Sequence, residues 1–186
     1  DSSTSRGLGD VYKRQDLPIV LIYTNIFAPP LPQPKRFVQL GRAIREMVES
    51  WPEDKRVAII GTGHLSLELG GPRQFGEHGP DPDFDRKAVE WIASGDLQGC
   101  LAEVTLDSLH RPGNATHGFM DFMLMMGVAG DGAKADHVDS LDLFHFAKEM
   151  GEPEYINPFN QLVFAKFGQR PDLRALLAES TDRTIS

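Results

Sequence analysis

Apolar residues along this chain fall into two kinds of pattern. Leu17–Asn25 (LPIVLIYTN) is short, continuous and rich in β-branched and aromatic residues, which predicts a buried strand. Arg56–Ile60 (RVAII) has the same character and predicts a second. Between them, Phe37, Leu40, Ile44, Met47 and Val48 recur at helical spacing, with Arg42, Arg45, Glu46 and Glu49 largely off that face. This predicts an amphipathic helix ending near Trp51-Pro52. Ala28–Pro34 (APPLPQP) holds four prolines in seven residues and reads as an extended loop. Strand, helix and strand in this order imply a right-handed crossover with parallel pairing, so Leu17–Ile60 reads as one βαβ unit.

Beyond Ile60 the helical period returns in shorter pieces. Asp83 is a candidate cap for a helix carrying Phe84, Ala88, Val89, Trp91 and Ile92. A short helix is expected over Leu97–Glu103, and Thr105 is placed to cap another turn. Arg111–Asn114 (RPGN) breaks the chain. Gly118–Val128 (GFMDFMLMMGV) is apolar nearly all round, as a buried helix is. Partial alternation at Val138–Phe146 reads as a strand. Ile156–Phe167 is ambiguous, with a strand at Gln161–Phe167, and Asp172 caps a last helix, Leu173–Ala178. The fold class these elements predict is α/β: a mixed or parallel sheet with flanking helices, in an incomplete domain. Asp1–Gln15 (DSSTSRGLGDVYKRQ) has no hydrophobic period and reads as translated adapter sequence, so 16–186 is expected to be the C-terminal portion of one domain.

Composition narrows the classes. At 186 residues, 40% hydrophobic and 25% charged, the chain is globular in character. Its net charge of −8 repels phosphate backbones, so nucleic acid is not an expected partner, and no run is long enough for a membrane helix. The single cysteine, Cys100, cannot form an internal disulfide and points to a reducing, cytoplasmic setting. P-loop, GxGxxG, GxSxG and HExxH motifs are all absent.

Two stretches could carry chemistry. Gly61–Ser66 (GTGHLS) follows a predicted strand, where α/β folds bind ligands, and its glycines permit a tight turn around His64. A histidine on such a loop can transfer protons near neutral pH. In Gly113–Asp121 (GNATHGFMD), His117 and Asp121 stand at i, i+4 ahead of an apolar run, a spacing that can present two ligands to a metal or serve only as a cap and a polar pair. Asn25, Thr62, Gly63 and His110 are candidate substrate contacts. His78, His137 and His145 read as structural, and the Met120, Met123, Met125 and Met126 run reads as core.

The stretch LPIVLIYTNIFAPPLPQPKRFVQLGRAIREMVESWPEDKRVAIIGTGHLSLELGG, with GNATHGFMDFMLMMG after it, resembles the class III extradiol ring-cleaving dioxygenases of the protocatechuate 4,5-dioxygenase beta-subunit type. The resemblance runs from about Leu17 to Val128. It implies opening of a catechol-like ring with dioxygen at a non-haem Fe(II) held by two histidines and a glutamate, the histidines lying upstream of this chain. It also implies an acid/base histidine ending a GTGGLSH loop. That position is Leu67 here, and His64 stands three residues earlier; the glutamate position is Gly118, flanked by His117 and Asp121. His64 is therefore the expected acid/base, and His117 or Asp121 the expected iron-site group. The expected partners are a small aromatic, dioxygen, and a further copy or a small partner subunit. The alternative is a non-catalytic binding or scaffold subunit of the same fold.

Overall fold

The computed structural model describes residues 18–74, 80–142 and 161–167. Five helices and a hairpin-like strand pair make up these parts. Helix α1 spans Pro34–Glu49, α2 Pro82–Ser94, α3 Leu97–Glu103, α4 Leu106–His110 and α5 Phe119–Ala129. A 3₁₀ turn, Thr116–Gly118, leads into α5. Strands β1 (His137–Asp142) and β2 (Gln161–Lys166) pair antiparallel, with His137 opposite Lys166.

The start signals explain the helix boundaries. Pro34 and Pro82 stand in the first turns of α1 and α2, where a missing N–H costs nothing. The cap of α2 is Asp81, not Asp83: its carboxylate accepts from the Phe84 N–H at 2.9 Å. With Pro82 fixing the first helical position, Asp83 falls inside the first turn. Thr105 caps α4 as expected, in a reciprocal pair with Ser108.

Helix α5 is the centre of the core. Phe119, Met120 and Met123 are fully buried, and Phe119 meets Phe84 edge-on with ring centroids 5.4 Å apart. Helix α1 lies against α5 through two glycines. A Cβ on Gly41 would sit 2.1 Å from the Leu124 carbonyl oxygen, and one on Gly127 2.5 Å from that of Val38. The backbones can approach this closely only because both side chains are absent.

The strands expected at Leu17–Asn25 and Arg56–Ile60 do not form over the described residues: 18–25 and 56–60 carry no ladder. Val20, Tyr23 and Ile60 are 85%, 89% and 85% exposed. A strand exists only as a hydrogen-bonded partnership, and no described segment pairs with either stretch. Of the expected βαβ unit, the described residues show the helix. The strand expected at Val138–Phe146 is seen as β1, and the one at Gln161–Phe167 as β2. His78, His145, Asp1–Gln15 and the helix expected at Leu173–Ala178 lie outside the described residues.

Candidate active site

The Gly61–Ser66 loop is held in place from its C-terminal side. Asp85, 1% exposed on α2, accepts from the Ser66 N–H at 2.7 Å and from the Ser66 hydroxyl at 2.9 Å. The next residues are fixed by the chain ahead of α5. The Leu67 N–H donates to Thr116 Oγ1 at 3.1 Å, and the Ala115 N–H to the Leu67 carbonyl at 3.0 Å. The Asn114 side chain bonds both backbone groups of Leu69, at 2.9 and 2.8 Å. Glu68, also buried, pairs with Arg73 at 2.5 Å. Burial pushes the Asp85 carboxyl up to about 6, against the pull of the two Ser66 bonds.

His64 stands at the open end of this anchored stretch. Its imidazole lies directly over Gly118: a Cβ there would be 2.2 Å from Cε1 and 2.3 Å from Nε2. Its Nδ1 is 3.3 Å from the Leu65 carbonyl oxygen, which fits an N–H donor on that nitrogen. Burial holds the His64 pKa below its ordinary value, while the Leu65 carbonyl and the charge of Asp121 act the other way. Asp121, in the first turn of α5, accepts from the Thr24 hydroxyl at 2.7 Å. Burial raises its pKa, opposed by Thr24 and His64. Thr24, His64 and Asp121 thus form one cluster from three separate segments.

His117 belongs to different surroundings. It lies in the 3₁₀ turn ahead of α5, so helical i, i+4 spacing does not relate it to Asp121. Its ring faces His110 with centroids 6.2 Å apart, and burial, then the neighbouring His110, lowers its pKa. Of the candidate substrate contacts, Asn25 closes the proline loop instead. It donates to the Ala28 carbonyl at 2.7 Å and accepts from the Ala28 N–H at 3.0 Å. His110 sits beside His117. Thr62 and Gly63 line a cavity of about 430 Å³, as does His64. Its other walls are Ile59 and Ile60, Phe122, Met125 and Met126 of α5, Ile92 of α2, and Val163, Ala165 and Phe167.

The family described as "Catalytic LigB subunit of aromatic ring-opening dioxygenase" matches residues 11–148. The chain belongs to this family. Gallate dioxygenase of Pseudomonas putida is 38% identical over 88 residues, covering 47% of this chain and 24% of that protein. A 2,3-dihydroxyphenylpropionate/2,3-dihydroxicinnamic acid 1,2-dioxygenase of Xanthobacter autotrophicus is 30% identical over 148 residues, 72% of this chain and 43% of that protein. The chain therefore spans less than half the length of these relatives. The match is to the LigB family as a whole rather than to its protocatechuate type.

LigB membership sharpens the question of metal. Among the described residues no three His, Cys, Asp or Glu side chains come together as a metal site. His117 faces His110, whereas Asp121 faces Thr24 and His64. The described residues thus do not by themselves fit a three-ligand iron centre. Leu67, where the resemblance places a histidine, is 3% exposed and has both backbone groups bonded.

Two participants were not visible in the sequence. Asp85 reads locally as an ordinary first-turn acid, and Thr24 as part of a strand. Met125 was grouped with the core methionines, yet it lines the cavity beside Phe122. No spacing rule separates it from its buried neighbours Met123 and Met126.

Proposed function

We propose that this LigB-family chain contributes the acid/base half of an Fe(II)-dependent extradiol dioxygenase acting on a catechol-like aromatic with dioxygen. The observation that carries this reading is His64, set over Gly118 and beside Asp121, on the wall of an apolar cavity. Burial favours the neutral imidazole at neutral pH, which is the form able to accept a proton from a ring hydroxyl. The Asp121 carboxylate would steady the imidazolium so formed, and the Thr24 hydroxyl fixes that carboxylate. The apolar walls would hold the ring and keep bulk water from it. In this proposal the iron takes its ligands largely from outside the described residues. Neighbouring strands from outside them would likewise complete an α/β sheet along 18–25 and 56–60. The lone, buried Cys100 suits a cytoplasmic enzyme.

His64→Ala in the natural full-length protein is expected to lower oxygen uptake with catechols by roughly 10²–10⁴-fold, with iron content unchanged. Unchanged turnover would remove His64 from the chemistry. A second reading, a non-catalytic binding subunit, draws on the burial of Leu67 and on Gly118. Absence of any oxygen uptake by an iron-loaded wild type would favour it.

A further inference from the structure

Gly118 has no conformational reason to be glycine. Its backbone, at φ −59° and ψ −17°, lies in the right-handed helical region open to every L-residue. The preference for glycine at a helix N-cap belongs to residues with extended backbone, and Gly118 instead continues the 3₁₀ turn into α5. In helical backbone glycine loses more conformational freedom than alanine does. The reason for it lies in what covers it. The three atoms nearest to a Cβ placed on Gly118 are Cε1, Nε2 and Nδ1 of His64, all within 2.6 Å. That is far inside van der Waals contact. The preceding loop residue presses on the same turn: a Cβ on Gly63 would be 2.7 Å from the Gly118 oxygen and 3.0 Å from Phe122. The imidazole is bounded on other sides too. Phe27, on the loop that Asn25 closes, meets it with ring centroids 6.5 Å apart and planes at 38°. Nδ1 is 3.3 Å from the Leu65 carbonyl oxygen, and Asp121, three residues beyond Gly118, acts on the ring through its charge.

We infer that Gly118 is a positioning residue for His64: the imidazole occupies the volume of the side chain that residue 118 lacks, so the two side chains exclude each other. The inference rests on the acid/base reading of His64 for its place in the reaction, and goes beyond it by naming what seats the ring beside Asp121. A methyl group at 118 displaces the imidazole, because the backbone on both sides is held. Residues 66, 67 and 69 are anchored by Asp85, Thr116 and Asn114, and Thr116 and Asn114 lie on the segment that carries Gly118. The rotatable side chain of His64 is therefore the part that gives way. Once displaced, the ring loses the alignment with Asp121 in which the carboxylate, itself held by Thr24, steadies its charged form.

The test is a double-substitution cycle with His64 on the full chain, read by denaturant unfolding and by NMR. Gly118→Ala alone is expected to raise the unfolding equilibrium constant roughly tenfold, as an overpacked contact does. In a His64→Ala background the same change is expected to leave that constant unchanged or to lower it up to about fivefold. The NMR contact between His64 Hε1 and the Gly118 α-protons is expected in the wild type and lost in Gly118→Ala. In the natural full-length protein, Gly118→Ala is expected to lower oxygen uptake with catechols at least about tenfold, and the double variant no further than His64→Ala alone. If Gly118→Ala does not fold, adding His64→Ala should restore folding; a double variant that also fails would overturn the inference. Equal costs in both backgrounds would overturn it, as would an NMR contact that survives the substitution. Oxygen uptake that falls in His64→Ala but not in Gly118→Ala would overturn it too. Coupling in the cycle beside unchanged uptake in His64→Ala would remove the acid/base reading and leave the exclusion between residues 64 and 118 standing.

Discussion

Two short apolar stretches, 56–60 and 64–69, lie only a few residues apart and meet opposite fates. In the second, Leu65 and Leu67 are each 3% exposed, and the backbone is held by Asp85, Thr116 and Asn114. In the first, and in 18–25, side chains of higher β propensity stand in the open with no ladder. The difference lies in who supplies the hydrogen bonds. The anchored loop takes its partners from side chains on α2 and on the segment before α5, which fold on their own packing. The extended stretches need another strand's backbone, which their own sequence cannot provide. Local propensity therefore says less about order than the location of the partner does.

The strongest way to break this contrast is to remove the anchor. Asp85→Ala takes away the acceptor for both Ser66 donors, the N–H and the hydroxyl, and leaves the buried N–H without a partner. A loss of about 2–4 kcal/mol in denaturant unfolding is expected. Asp85→Asn keeps an acceptor for the Ser66 N–H and should cost much less. If Ala and Asn are equally harmless, the loop is ordered by something other than Asp85.

The same residue predicts a pH dependence. Its folded-state pKa is raised, from 3.8 to about 6, so the folded protein binds the extra proton between those values. Stability is then fully supported by this group below about pH 4 and falls as pH rises through 6, the reverse of an ordinary salt-bridged aspartate. The protonated carboxyl can still accept from the Ser66 N–H while donating to its hydroxyl oxygen. The decline should be about 3 kcal/mol, and Asp85→Asn should flatten it. A slope of opposite sign that persists in the wild type but vanishes in Asp85→Asn would show that the carboxylate is the favoured buried form.

How much was legible follows the same division. The helices were readable because their signals are local: Thr105 as cap, RPGN as break, the apolar run of α5. Even there the buried face of α1 turned out rotated. Phe37, Val38, Gly41 and Ile44 are buried, while Leu40 and Met47 are exposed, because Gly41 invites the α5 backbone onto that side. The position of His64 on a glycine loop was readable, and that loop lines the cavity. Asp85 and Thr24 were not, since their roles arise from contacts 19 and 97 residues away in sequence. His117 and Asp121 do not stand as a helical i, i+4 pair, because one 3₁₀ turn breaks the helical spacing between them.

Thr24 is the tether between the two kinds of region, joining the 18–25 stretch to α5 through Asp121. Thr24→Ala should cost about 1 kcal/mol, the value of one partly buried hydrogen bond to a charged group discounted for exposure. It should also raise the Asp121 pKa further, because Thr24 is the larger of the two influences lowering it. Carbon-13 NMR of the Asp121 carboxyl would follow that shift. An unchanged titration would mean that the tether is not made in solution.

The smallest effect is the most direct test of the extended stretches. Val20 and Ile60 are each 85% exposed, so Val20→Thr and Ile60→Thr remove little apolar area from any packed surface. Threonine keeps the branched shape and the β propensity, so what changes is mainly hydrophobicity. Each should alter the stability of this chain by less than about 0.5 kcal/mol, as surface substitutions do. At roughly 25 cal/mol per Å², a buried valine or isoleucine side chain contributes about 1.5–3 kcal/mol. A measured loss in that range would therefore show that 18–25 or 56–60 is covered in solution, and the contrast with the anchored loop would disappear. Near-neutral values for both, beside a costly Asp85→Ala, would locate the order of this molecule in its helices and in the loop they hold.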